Sequence, residues 1–299
     1  MKRSVQSSLW LVLATIIWGS SFVSQSVGMD FIEPFTFQAV RCGLAVLGLL
    51  PIIWIADRFQ KDGKTFFSRW KDKKLWKAGI LCGIPLFFAT NLQQLGIVDT
   101  DAGKSAFLTA MYIIIVPIIG IFRKQKPSKF IPVSVLLGVA GLYCLSCVGV
   151  TSISKGDLLT LGCAFMFAVQ ITVVDQFAAD VDALRLNLLQ ALVCTVLSSI
   201  VMFITETPSL PAISACFLPL AHSGFLSMGA AYSLQIVGQK NLEPSTASLI
   251  MSMESVFAVL FGWMLLNERL TPWEATGCVL VFIAVILSQI PDKKKAVVK

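Results

Sequence analysis

The 299-residue chain is 56% hydrophobic and only 14% charged, with a mean hydropathy of +0.79. Soluble domains carry roughly 25% charged residues, so the polar surface that ordinary soluble domains of this length require is missing. The apolar residues come in long blocks, and a hydrocarbon core of about 30 Å takes about 20 apolar residues of helix to cross; the chain reads as an integral membrane protein.

Ten apolar segments follow one another, near 9–28, 35–56, 75–96, 102–122, 130–150, 158–175, 184–205, 216–237, 246–266 and 273–290. Runs this long, without period-two alternation, favour helices over the strands of a barrel. The first segment follows Lys2 and Arg3 as a signal peptide would. It continues through Trp18 and Phe22 without a small-residue cleavage site, and is read as an uncleaved span.

The net charge of +7 would suggest a nucleic-acid partner in a soluble chain. Here the basic residues report orientation instead. With the N-terminus inside and the spans alternating, twenty Lys and Arg fall on the inner side and three (Lys104, Lys155, Arg269) on the outer side. Arg41 lies within the second span. Eight acids are inner, eight are outer, and Glu254 is mid-span, so the inner side nets +12 and the outer side −5. The expectation is a multi-pass protein of the inner (cytoplasmic) cell membrane with both termini cytoplasmic and no nucleic-acid partner. The least regular connection is the sixth-to-seventh, where Asp175, Asp180 and Asp182 outnumber Arg185.

All eight cysteines lie in apolar blocks, so no disulfide framework is expected, and the Cys144/Cys147 pair reads as small packing residues. Gly103-Lys104-Ser105 ends like a phosphate-binding loop, but Val98 stands where that loop needs glycine. There is no HExxH, no GxSxG and no His/Cys cluster; the chain is expected to be neither an enzyme nor a binder of metal or cofactor.

Shifted by 142 residues, the third and fourth segments align with the eighth and ninth: Leu92-Gln93 falls on Leu234-Gln235, Gly96 on Gly238 and Asp101 on Glu243. Gly138 matches Gly277 at a slightly different shift. The expected architecture is all-α, ten transmembrane helices as two five-helix repeats, residues 1–150 and 151–299. Five is odd, so the halves enter the membrane from opposite sides, a device by which transporters open a midplane site alternately to either face.

The residues also carry a resemblance. Ala14-Thr15-Ile16-Ile17-Trp18-Gly19-Ser20-Ser21-Phe22, then Glu33-Pro34 and Arg41, resemble the opening of an EamA-type transporter of the drug/metabolite transporter superfamily. Ser252-Met253-Glu254-Ser255-Val256-Phe257, then Asn267-Glu268-Arg269-Leu270-Thr271 and Gly277, are similar to the ending of that family's second repeat. The first repeat departs from the second: Tyr112 stands where Glu254 falls, and Lys124-Gln125-Lys126-Pro127 replaces Glu268-Arg269-Leu270. The resemblance implies a five-plus-five inverted repeat around a central cavity.

Within the spans, Glu254 is the first candidate. A carboxylate at a helix midpoint is costly unless it faces a cavity, finds a partner or takes up a proton, so proton coupling and a packing role are both open. Arg41 has three readings: binding a substrate carboxylate, pairing with Glu254, or snorkelling outward as an anchor. Asn91 and Gln93 on the third span, with Gln235 and Tyr232 on the eighth, either line a cavity or hold helices together; Gln94, Gln38, Gln170 and Gln190 share that ambiguity. Trp18, Phe22, Phe107 and Tyr112 offer an aromatic wall or plain packing. His222 is read as interfacial. Gly79/Gly83, Ser20/Ser24/Gly28 and Ser134/Gly138 have the spacing of close helix contacts, explained within one bundle; whether the chain forms a homodimer is open. The expectation is a secondary transporter in the lipid bilayer, an exporter of a small organic metabolite or drug, with proton coupling at Glu254 as a hypothesis. The rivals are an uncoupled uniporter and a non-transporting sensor or assembly protein; the last predicts a packed centre.

Overall fold

The computed structural model describes residues 2–60, 65–100, 102–125, 128–146, 153–266 and 271–290. Asp101, Lys126-Pro127, Cys147, Asn267 to Leu270 and the C-terminal lysines lie outside them. Among the described residues the chain is helix and turn, without strand.

Helix α1 (Lys2–Gly28) begins well before the apolar run at Leu9. Its polar first turns are held because they pack: Ser8 donates to Gln289 at 2.9 Å, and Asn241 donates to Ser7 at 3.1 Å. Helix α2 (Pro34–Phe59) starts on a proline, whose missing N–H costs nothing in a first turn. Its N-cap Glu33 makes no capping bond; instead Glu206 accepts from the N–H groups of Phe35 and Thr36 at 2.8 and 2.6 Å and from the Thr36 hydroxyl at 2.7 Å. A short α3 (Phe66–Arg69), capped by Thr65, precedes α4 (Lys73–Val98), capped by Asp72.

The fourth apolar segment is two helices, α5 (Ala102–Thr109) and α6 (Tyr112–Phe122), and α7 (Ile131–Ser146) follows. Helix α8 (Lys155–Phe177) opens with a capping box between Ser154 and Asp157, and α9 (Ala183–Thr205) is capped by Asp182. After α10 (Leu210–Ala215), helix α11 (Phe217–Ala221) runs directly into a π-helical stretch (His222–Ala231) and then α12 (Tyr232–Gln239). The ninth segment is again two helices, α13 (Pro244–Met251) and α14 (Met253–Leu266); α15 (Pro272–Ser288) has its own capping box, Thr271 with Glu274.

Among the described residues, seven helical stretches are long and apolar enough to cross a membrane: 3–28, 34–59, 73–98, 102–122, 155–177, 183–205 and 244–265. Two shorter apolar helices, Ile131–Leu145 and Pro272–Ser288, stand where the fifth and tenth segments are expected. Helix α4 packs on α8 and α9, α2 on α9 and the π-helical stretch, α1 on α14, α12 and the π-helical stretch, α6 on α8, and α7 on α15.

The acidic sixth-to-seventh connection finds its counter-charges in basic neighbours. Asp180 meets Lys74 at 2.7 Å, Arg185 meets Asp182 at 3.4 Å, and Arg185 also pairs with Asp57. Asp57 in turn lies 3.7 Å from Arg69. Asp180 thus meets a base in the first turn of α4, and Asp182 one in the first turn of α9.

The Gly79/Gly83 spacing is used between α4 and α9. A Cβ at Gly83 would stand 2.6 Å from the Cβ of Val193, inside van der Waals contact. Gly103, by contrast, has open space around its missing Cβ. Gly83→Leu is therefore expected to destabilise the bundle by about 1–3 kcal/mol, as overpacking does, seen as a lower unfolding temperature of the detergent-purified protein. Gly103→Ala is expected to leave that temperature unchanged or raise it.

Candidate functional site

A cavity with about 430 Å³ of empty space, including its open mouth, lies in the middle of the bundle. Helix α1 contributes Trp18, Phe22 and Gln25, α2 contributes Arg41, α4 Gln93, and α6 Tyr112. From the other half of the chain come Phe167 and Ile171 of α8, Ser227 of the π-helical stretch, Tyr232 and Gln235 of α12, Met251 of α13 and Glu254 of α14. Of the residues singled out from the sequence, Trp18, Phe22, Arg41, Gln93, Tyr112, Tyr232, Gln235 and Glu254 meet here.

Asn91 does not. Two residues from Gln93 at about 100° per residue, it points away, donating to the Phe87 carbonyl at 2.8 Å and to Ser198 at 2.9 Å. It ties α4 to α9. Of the aromatic candidates, Trp18, Phe22 and Tyr112 reach the cavity wall, while Phe107 sits in the apolar core. Trp18 and Tyr232 meet edge to face, their centroids 5.0 Å apart.

Two helix breaks shape the site. Between α5 and α6, and between α13 and α14, the backbone tightens to three-residue hydrogen bonds: Ile113 N–H to the Ala110 carbonyl at 3.0 Å, and Ser255 N–H to the Ser252 carbonyl at 3.1 Å. Tyr112 and Glu254 stand just past these breaks, and the Tyr112 hydroxyl donates to Glu254 Oε1 at 2.9 Å. The Ser255 hydroxyl donates to the Ala106 carbonyl at 2.9 Å, joining the two interrupted helices again. Gln93 donates to Thr109, the last residue of α5, at 3.1 Å.

The two deep charges are separately accommodated. Glu254 is 6% exposed and takes its hydrogen bond from Tyr112. Arg41 is 2% exposed, and its Nη1 donates to Gln25 Oε1 at 2.7 Å. Arg41 and Glu254 form no ion pair in this conformation. Arg41 does not snorkel either; it is buried, with its head group bonded to Gln25 of α1.

Gln235 leads from the cavity into a chain of amides. It donates to Gln170 at 3.0 Å and to Gln239 at 2.9 Å; Gln170 donates to Gln190 at 3.3 Å, and Gln190 to Asn187 at 2.9 Å. Asn187 then donates to the Met228 and Gly229 carbonyls at 3.0 and 2.7 Å. Carbonyls that the wider π-helical turn takes out of α-helical register are thereby satisfied. Gln94 and Gln38 make a separate contact at 3.2 Å between α4 and α2.

His222 is half-buried, its ring nitrogens 3.1 Å from Ser20 Oγ and 3.0 Å from Ser24 Oγ on α1. The small-residue spacing read as a packing stripe therefore serves as a clasp for the imidazole. Gln25, Ser227, Phe167, Ile171 and Met251 were not legible as site residues. Only Gln25, a lone amide in an apolar span, carried a signal. Among the described residues, no group of three or more His, Cys, Asp or Glu is placed to hold a metal ion.

Removing the donor from Tyr112 leaves the buried Glu254 carboxyl without its partner, a loss of about 1–3 kcal/mol for a group of this kind. Tyr112→Phe is expected to lower the unfolding temperature of the purified protein. Glu254→Gln is expected to be close to neutral, since an amide oxygen still accepts from Tyr112. In the double variant the penalty of Tyr112→Phe should shrink, which a double-mutant cycle measures.

The profile of the EamA-like transporter family matches residues 6–147 and 154–289 of this chain. A protein of Archaeoglobus fulgidus named an uncharacterized transporter is 30% identical over 291 residues, covering 95% of this chain and 86% of its own. The uncharacterized transporter YoaV of Bacillus subtilis is 22% identical over 98% of this chain and all of its own. A crystal structure superposes with a TM-score of 0.76 over 95% of this chain and 96% of its own, at 16% identity, a likeness of fold alone. With nearly its whole length covered by the family profile, and with membrane-crossing helices throughout, the chain belongs to the EamA-like transporter family.

Proposed function

We propose that the protein is a secondary transporter that exports a small organic metabolite or drug through the central cavity by alternating access. The carrying observation is a polar, charged cavity buried in an apolar helix bundle and walled about equally by residues from both halves of the chain. A sensor or scaffold needs no such space, and burying Arg41 and Glu254 around one has no purpose in a passive assembly.

The inverted-repeat reading, with halves 1–150 and 151–299, has its support in register. The break after Thr109 recurs after Met251, 142 residues on, and Tyr112 and Glu254 occupy matching positions across it. The packing is reciprocal as well: α4 on α8 answers α1 on α12, and α6 on α8 answers α14 on α1. Counting the continuous helix from Phe217 to Gln239 and the two shorter apolar helices brings the spans to ten. The excess of Lys and Arg in the loops on one side supports cytoplasmic termini in a cell-membrane protein. The outward direction rests on the family resemblance.

Glu254 is our candidate for the coupling site. Among the described residues it is the one carboxylate lining the cavity, and its tyrosine partner sits at the matching helix break, so protonation would act on both interrupted helices. In proteoliposomes carrying an internal pH dye and challenged with a metabolite library, the wild type is expected to show solute-evoked proton movement, and Glu254→Gln none. Solute flux without proton movement in the wild type would identify the uncoupled uniporter instead.

A further inference from the structure

Arg41 cannot relieve its burial by losing a proton, because a guanidinium stays protonated in proteins. A buried charge is normally matched by an opposite one. Among the described residues no carboxylate lies within 4.0 Å of the Arg41 nitrogens. Its one hydrogen-bond partner is the neutral Gln25, at 2.7 Å, and Nε has none. The second charge of the cavity, Glu254, is engaged by Tyr112. A second donor among the lining residues is also without a partner: the indole Nε1 of Trp18, a residue 9% exposed.

What Arg41 lacks is a group that accepts hydrogen bonds and carries negative charge; the cavity also holds an unpartnered acceptor, Gln235 Oε1 on α12. A carboxylate supplies what Arg41 lacks, and its two oxygens suit the fork of a guanidinium. One guanidinium offsets one charge, and Glu254 in the same cavity opposes a second negative charge, which disfavours phosphates and dicarboxylates. Phe22, Phe167, Ile171, Tyr232 and Met251 make the remaining wall aromatic and aliphatic. We infer that the transported solute is a monocarboxylate with an apolar body, its carboxylate docking on the Arg41 guanidinium. This rests on the transporter reading and names the class of its substrate.

The test uses the purified full-length protein in detergent, with thermal unfolding and calorimetry. The probes are phenylacetate, indole-3-acetate and 4-methylpentanoate, each beside its primary amide. At least one carboxylate is expected to raise the unfolding temperature and to bind at least about tenfold more tightly than its amide, as loss of a charged hydrogen bond implies. Arg41→Gln is expected to abolish the response. Gln25→Glu sets a resident carboxylate on Arg41, so it should raise the unfolding temperature of the ligand-free protein and also abolish the response; it keeps the test open if Arg41→Gln fails to fold. The inference is overturned if no carboxylate responds, if amides match carboxylates, or if the response survives in a folded Arg41→Gln variant or in Gln25→Glu. Flux of neutral or cationic solutes with carboxylates silent would sink the carboxylate assignment and leave transport standing. Absence of flux for every solute would sink the transporter reading itself, whatever the binding result.

Discussion

Hydrocarbon offers no hydrogen-bond partners, so every polar group inside the bundle must be satisfied by the protein itself. That constraint accounts for most of what surrounds the cavity. Backbone groups are paired within helices. Glu206 caps the start of α2 from a distant part of the chain, and Asn187 reaches the carbonyls of the π-helical stretch. Buried amides form chains rather than standing alone, from Gln239 through Gln235, Gln170 and Gln190 to Asn187. Against this background the few unsatisfied donors stand out, and two of them, on Arg41 and Trp18, belong to residues of the cavity wall.

The same constraint gives the helix breaks their meaning. Interrupting a helix inside a membrane exposes carbonyls and N–H groups, which is tolerated where protein or a cavity receives them. Here Ser255 bonds to Ala106 across the two breaks, and Tyr112 and Glu254 bond to each other beside them. The Tyr112–Glu254 bond thus links the chemistry of a carboxyl group to the geometry of two interrupted helices. The π-helical stretch does related work on the opposite wall. Gly224 lets it approach α2 so closely that a Cβ there would stand 2.9 Å from the Arg41 carbonyl.

Much of this was legible because charge and amide groups are rare in apolar spans. Each such residue stands out, and Arg41, Gln93, Gln235 and Glu254 line one cavity. Asn91 could be read either way for a simple reason: rarity says that a group must be satisfied, not by what. Ser198 satisfies it. Gln25 was overlooked although it holds Arg41, since its importance depends on a neighbour 16 residues away on another helix. Ser20 and Ser24 read as small packing residues because spacing records size, while their hydroxyls serve His222.

The sequence by itself determined that this is a helical membrane protein of the EamA type. Hydropathy and the distribution of Lys and Arg are summed along the chain, and they need no knowledge of which helix touches which. Only the tertiary structure decided that Arg41 meets Gln25 rather than Glu254, and that Glu254 meets Tyr112. Those choices depend on angles around helices and on contacts between helices, and a side chain's position in an apolar run specifies neither.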